Sequence, residues 1–165
     1  LVELYRYVRD HYPVGPVILW GNSMGALAAL TAVNGRVLPG IVGCILTEPV
    51  CSLATLYASW ATAAIDTAYG ITGVTPNTYA ELTAGYDPLL GEGRKYRGIH
   101  FLFISSPDDV TVYETQNTTP MVAVLTGYAA SITQHAASGA HGDGTHFDAA
   151  ARTAILALCA AALEG

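Results

Sequence analysis

Val17-Ile18-Leu19-Trp20-Gly21-Asn22-Ser23-Met24-Gly25-Ala26 places four apolar residues directly before a G-x-S-x-G turn. A short, wholly apolar run suits a strand covered on both faces, as in a parallel sheet. Ala26 to Val33 then reads as a helix stopped by Asn34-Gly35. In this strand–turn–helix setting G-x-S-x-G carries chemistry. Glycines permit a tight turn and a close approach of strand and helix. The turn lifts the Ser23 hydroxyl off the sheet edge. It also aims a helix N-terminus, with its free amides and positive dipole end, at any oxyanion formed there. Ser23 is the candidate nucleophile, and the Met24 amide is the first oxyanion donor. A phosphate-cradling loop would want the glycines and lysine of a Walker-type motif, which this stretch lacks.

Outward from this stretch the same rhythm continues. Leu1, Leu4, Tyr5, Val8 and Tyr12 recur at helical spacing, and Pro13-Val14-Gly15-Pro16 ends that helix. Ile41 to Thr47 and His100 to Ile104 read as further buried strands, and Ser131 to His135 as a weaker one. Between them lie a helix from about Ser52 to Ala68, another opened by Thr75-Pro76, and a third opened by the Thr119-Pro120 N-cap and N1 pair and running to about Ala130. A final Ala/Leu helix spans about Phe147 to Leu163. Strand alternating with helix predicts an α/β fold: a three-layer parallel sheet of about four strands with flanking helices. The whole chain, 1–165, reads as one domain, with 48–95 as a small helical insert.

The bulk numbers narrow the class. Hydrophobic residues make up 52% and charged residues 12% of the 165, which excludes a disordered chain. The net charge of −6 gives no basic footprint for nucleic acid. Gly, Pro, Asn or Asp interrupts every apolar run, so no membrane span is predicted. No signal peptide is visible at Leu1. Cys44, Cys51 and Cys159 are odd in number and form no CxxC pair, which reads as buried free thiols in a reducing, cytoplasmic-type compartment.

With Gly21-Asn22-Ser23-Met24-Gly25 between strand and helix, the sequence resembles the α/β-hydrolase superfamily over essentially its whole length. In that family the order is Ser, then an acid after a later strand, then His before the last helix. The resemblance therefore implies a serine hydrolase of carboxylic esters or related acyl compounds. A serine hydroxyl needs an imidazole to take its proton, and the imidazole needs a carboxylate to fix its tautomer. Asp109, with apolar Val112 three positions on, fits the family's acid better than its neighbour Asp108. Glu48, just past the Ile41–Thr47 strand, is a further alternative. His146, directly before the final helix, matches the base, with His141 as the alternative. His11, His100 and His135 read as structural.

Leu53, Leu56, Tyr57, Trp60 and Tyr69 of the insert are candidates to line an acyl pocket, or else to be simple core packing. No organic cofactor or metal is implied by this chemistry. A competing metal reading rests on the close spacing of His141, Asp143, His146 and Asp148. The family's earlier strands have no counterpart here, nor does the loop that donates the second oxyanion amide. The Val17–Trp20 strand is thus expected to be an open edge, covered by a second copy or by a preceding segment. This motivates the alternative function, an inactive interaction or assembly module.

Overall fold

The computed structural model describes residues 1–58, 62–70, 79, 81, 83 and 85–164. Trp60, the side chain of Tyr69 and the helix expected to open at Thr75-Pro76 lie outside the described residues. Helix α1 (Val2–His11) precedes β1 (Val17–Asn22), α2 (Met24–Asn34) and β2 (Ile41–Thr47). The insert contributes α3 (Leu53–Ala58) and α4 (Thr62–Tyr69). Then follow β3 (His100–Ser105), α5 (Thr118–Leu125), β4 (Ser131–Ala136) and α6 (Ala149–Glu164).

The four strands are all parallel, in the order β1-β2-β3-β4. Strands added in one direction by same-handed crossovers put their connecting helices on one face. Accordingly Leu30 of α2 and Met121 and Leu125 of α5 share a core with Cys44, Leu46, Phe101 and Phe103. The alternate residues Ile45, Leu102 and Ile104 face the other way, onto Ala151 and Leu158 of α6. This is a three-layer α/β architecture. Phe101, Leu102, Phe103 and Ile104 are all fully buried, each contributing roughly 1.5–3 kcal/mol of burial. That double-sided burial is why β3 carries no polar alternation.

The margins differ from the centre. β4 has no buried residue, only exposed and partly buried ones, and β1 leaves Trp20 54% exposed. Helix α1 rests Val2 and Tyr5 against the α2-side core but buries none of its residues. Three expected boundaries shift. Helix α5 starts at Thr118 after Asn117, not at a Thr119 cap: the Asn117 carbonyl accepts from Met121 N at 3.1 Å, while its side chain gives no cap, accepting from the Cys51 amide and donating to the Tyr113 carbonyl. It also stops at Leu125, just before Gly127 at φ 83°. The last helix starts at Ala149, since Gly144–Phe147 forms a separate 3-10 turn and Asp148 accepts from the Ala151 amide. No helix among the described residues is long and apolar enough to cross a membrane.

Because every strand runs the same way, all four carboxyl ends open on one edge of the sheet. Backbone bonds extend the ladder past that edge: Ser23 N donates to Thr47 O at 2.9 Å, Glu48 N to Ile104 O at 2.8 Å, and Ala137 N to Ser105 O at 2.8 Å. Ser23, Glu48 and Asp109 therefore follow adjacent strands.

Candidate active site

Ser23 occupies the turn between β1 and α2 at φ 50°, ψ −118°, a conformation that costs a non-glycine residue about 1–3 kcal/mol. The surroundings hold it there. Its amide bonds Thr47 O, and its carbonyl accepts from Ala26 N at 3.0 Å and Val50 N at 3.2 Å. The two glycines of the turn do different work. A Cβ on Gly21 would lie 2.5 Å from the Gly25 carbonyl carbon and 2.6 Å from Ala26 Cα, whereas one on Gly25 would meet nothing within 4 Å. Close approach of strand and helix thus depends on Gly21 alone. Met24 opens α2, so its amide has no acceptor within the helix.

Asp109 is buried just beyond β3. Its Oδ1 accepts the amides of Thr111 and Val112, both at 2.8 Å, which pins the carboxylate to its own loop. Its Oδ2 lies 2.7 Å from His141 Nδ1, and His141 Nε2 lies 2.9 Å from Ser23 Oγ. An ionised carboxylate only accepts, so Nδ1 carries the hydrogen and Nε2 presents a lone pair to the serine hydroxyl. Three residues remote in sequence thus form one hydrogen-bonded line. Asp108 is exposed and faces away from this line: its amide donates to Ser106 Oγ at 3.1 Å, and its Oδ2 accepts from Gly139 N at 3.5 Å.

The imidazole in that line is His141, not the expected His146. Asp143 accepts from Thr145 N at 3.0 Å and starts the 3-10 turn, which rotates His146 inward to full burial. There its Nδ1 lies 2.5 Å from Asp143 O and 3.2 Å from Glu48 Oε1. His146 Nε2 has no partner among the described residues. His135 pairs with Asp148 at 3.2 Å, and His100 with Ser131 Oγ at 2.9 Å.

Glu48 is also buried, at φ 46°. Its Oε1 accepts the Gly142 amide at 2.5 Å and stands 3.9 Å from His141 Nδ1. Among the described residues, the donors that converge closely enough for a divalent cation are Glu48, Asp109 and His141, a set of carboxylates and imidazole that would suit zinc. The loop group foreseen for a metal does not converge in this way, because Asp148 faces His135 and the α6 amides while His146 faces Asp143 and Glu48.

The insert residues divide. Leu53 lines a hollow of about 400 Å³ together with Met24, Leu27, Val37 and Tyr86. Leu56 is buried among Leu27, Val50 and Val112, and Tyr57 stacks on Tyr79 at 4.2 Å.

Neither a protein-family model nor a curated protein matches the sequence. Solved structures do match. A puromycin-hydrolyzing peptidase from Mycobacterium tuberculosis is similar at TM-score 0.75 and 16% identity, over 98% of this chain and 24% of its own. A carboxylesterase from Lactobacillus plantarum is similar at TM-score 0.66 and 18% identity, over 99% of this chain and 66% of its own. An S-formylglutathione hydrolase from Agrobacterium tumefaciens is similar at TM-score 0.69 and 17% identity, over 98% and 55%. The chain has the α/β-hydrolase fold. It spans about a quarter of the length of the puromycin-hydrolyzing structures it matches. Within the α/β-hydrolase fold, Ser23, Asp109 and His141 stand at the carboxyl ends of the parallel strands, the edge where open α/β sheets bind ligands.

Proposed function

We propose that the protein is a serine hydrolase acting on carboxylic esters or related acyl compounds. The observation that carries this reading is the continuous line Ser23 Oγ–His141 Nε2 at 2.9 Å and His141 Nδ1–Asp109 Oδ2 at 2.7 Å. Ser23 Oγ attacks the acyl carbonyl as its proton passes to His141 Nε2. Asp109 holds the ring in the required tautomer and stabilises the imidazolium that forms. The Met24 amide, at the positive end of α2, donates to the oxyanion. His141 then returns the proton to the leaving group, and water repeats the sequence to release the acid. A fluorophosphonate probe tests the reading: it labels Ser23 in the native chain and fails to label Ser23→Ala. Equal labelling of both rejects it.

The second reading is an interaction or assembly module without turnover. It is favoured by β1, which pairs only with β2 among the described residues and leaves Trp20 half-exposed. An unpaired edge of this kind accepts a further strand from another segment or a second copy. Hydrolysis of short p-nitrophenyl esters that disappears with Ser23→Ala separates the two readings.

A further inference from the structure

Glu48 makes contacts that the nucleophile, base and acid do not require. A buried carboxylate is costly unless several donors satisfy it, and this one is surrounded by them. Oε1 takes the Gly142 amide and lies 3.2 Å from His146 Nδ1 and 3.9 Å from His141 Nδ1. With the Asn22 amide turned so that its nitrogen faces acceptors, Oε2 accepts from it at 3.2 Å. Glu48 stands between Ser23 and Asp109 along the sheet edge, because β2 lies between β1 and β3.

We infer that Glu48 is a second carboxylate of this site, a positioning residue that latches the His141–Gly142 segment and is a standby acceptor for His141 Nδ1. The inference rests on reading Ser23 and His141 as nucleophile and base. His141 lies in a loop with Gly139 at φ 99° and Gly142 at φ 79°, a backbone with much freedom to lose. A base must be held within about 0.5 Å of its productive position. Asp109 orients the ring from the β3 side, and the bond from Gly142 N to Glu48 fixes the backbone next to it from the β2 side. His146, from the same loop, is bonded through Nδ1 to the Asp143 carbonyl and packs that nitrogen 3.2 Å from Glu48 Oε1, on the side of the carboxylate away from solvent. The Glu48 charge also faces the imidazolium that forms when Ser23 gives up its proton.

The test measures fluorophosphonate inactivation, separating the limiting rate kinact from the binding term KI. Glu48→Gln keeps an oxygen for the Gly142 amide and loses the charge. It is expected to lower kinact by about tenfold while KI stays within about twofold. Asp109→Asn presents an amide nitrogen to Nδ1 and imposes the wrong tautomer, whereas Asp109→Ala leaves Nδ1–H free to turn to Glu48. Asp109→Ala should therefore retain about tenfold more kinact than Asp109→Asn, and Asp109→Ala/Glu48→Gln should lose that surplus. Wild-type kinact in Glu48→Gln, or a surplus that survives in the double variant, overturns the role of Glu48. Absence of Ser23-dependent labelling in the wild-type chain overturns the underlying reading as well, so the two failures are told apart. If Asp109→Ala does not fold, the rate and binding split of Glu48→Gln, with its thermal melt at the wild-type position, decides alone.

Discussion

The backbone of Gly21 packs directly against the carbonyl group of Gly25, across the turn that holds Ser23. A methyl group at Gly21 would drive into main-chain atoms, which cannot swing aside as a flexible side chain does. At Gly25 the same methyl would point into open space, on a helix. Gly21→Ala should therefore destabilise the fold by roughly 1–3 kcal/mol or more through overpacking. Gly25→Ala should be neutral or stabilising by up to about 1 kcal/mol, since alanine favours the helix. Thermal melts of the two variants check this; similar melting points would show that both glycines serve the turn equally.

The two loop histidines should separate cleanly. His141→Gln removes the group facing Ser23 and is expected to lower ester turnover and phosphonate labelling by roughly 10⁴–10⁶-fold, with little change in melting. His146→Gln removes a buried partner of Glu48 and the Asp143 carbonyl, at a cost of roughly 1–3 kcal/mol in stability, and leaves a much larger share of the rate. A reversed pattern, with His146 essential for rate and His141 dispensable, would restore His146 as the base.

The fold was legible because apolar runs such as Val17–Trp20 and Phe101–Ile104 have no other comfortable environment than a strand covered on both faces. Ser23 was legible for a local reason, its place between such a run and a helix. Asp109 was legible only through spacing to Val112, whose amide it accepts in the structure. The histidine was not. His141 and His146 share one loop, and which of them faces outward depends on a 3-10 turn capped by Asp143 and on the pull of Glu48 from another strand. Such a contact, between residues about a hundred positions apart, leaves no periodic trace. The small neighbours Ala140 and Gly142 were the one local hint that His141 sits on an adaptable loop. Likewise, Thr119-Pro120 looked like a helix start, yet the helical bonds already begin at the Asn117 carbonyl, whose residue is held in place by side-chain bonds to Cys51 and Tyr113.

The cysteines should differ sharply in reactivity. Cys44 and Cys51 are fully buried, and burial pushes the Cys44 thiol up to about 12 and the Cys51 thiol higher still, with Asp87 adding to the effect. The thiolate is the reactive form, so neither should react with a disulfide reagent at neutral pH in the native chain. Cys159 is partly exposed. Titration should find one accessible thiol before denaturation and three after it. Rapid reaction of two or more in the native state would contradict this burial.

Asp148 gives the last helix an acid-sensitive anchor. The Ala151 amide, followed by His135 and the Ala150 amide, holds its carboxyl below the ordinary value of 3.8 against an opposing effect of desolvation. A carboxyl lowered on folding stabilises the folded chain at pH above its unfolded value, and this contribution is lost as pH falls through the lowered folded value. Asp148→Ala should thus melt below wild type at neutral pH, and the gap should narrow as the pH drops below about 3.8. A gap that is constant from neutral to strongly acid solution would mean that the charge of Asp148 is not what anchors α6.

Ser23 itself should trade stability for chemistry. Its φ of 50° and ψ of −118° are open to glycine and strained for serine, and backbone hydrogen bonds to Thr47 and Val50 of a neighbouring segment, with one from Ala26 in its own turn, enforce them. Ser23→Gly relieves that strain while keeping the turn, so it should melt at least as high as wild type, with a gain of up to about 1–3 kcal/mol set against the extra entropy of an unfolded glycine, roughly 0.5–1 kcal/mol. Ser23→Ala keeps the Cβ and the strain, and should melt near wild type. Both variants should lose phosphonate labelling completely. The ordering Gly above Ala in melting temperature, at equal loss of labelling, is the signature of a residue held in a costly conformation for the position of its hydroxyl; the opposite ordering would show that the turn stores no such strain.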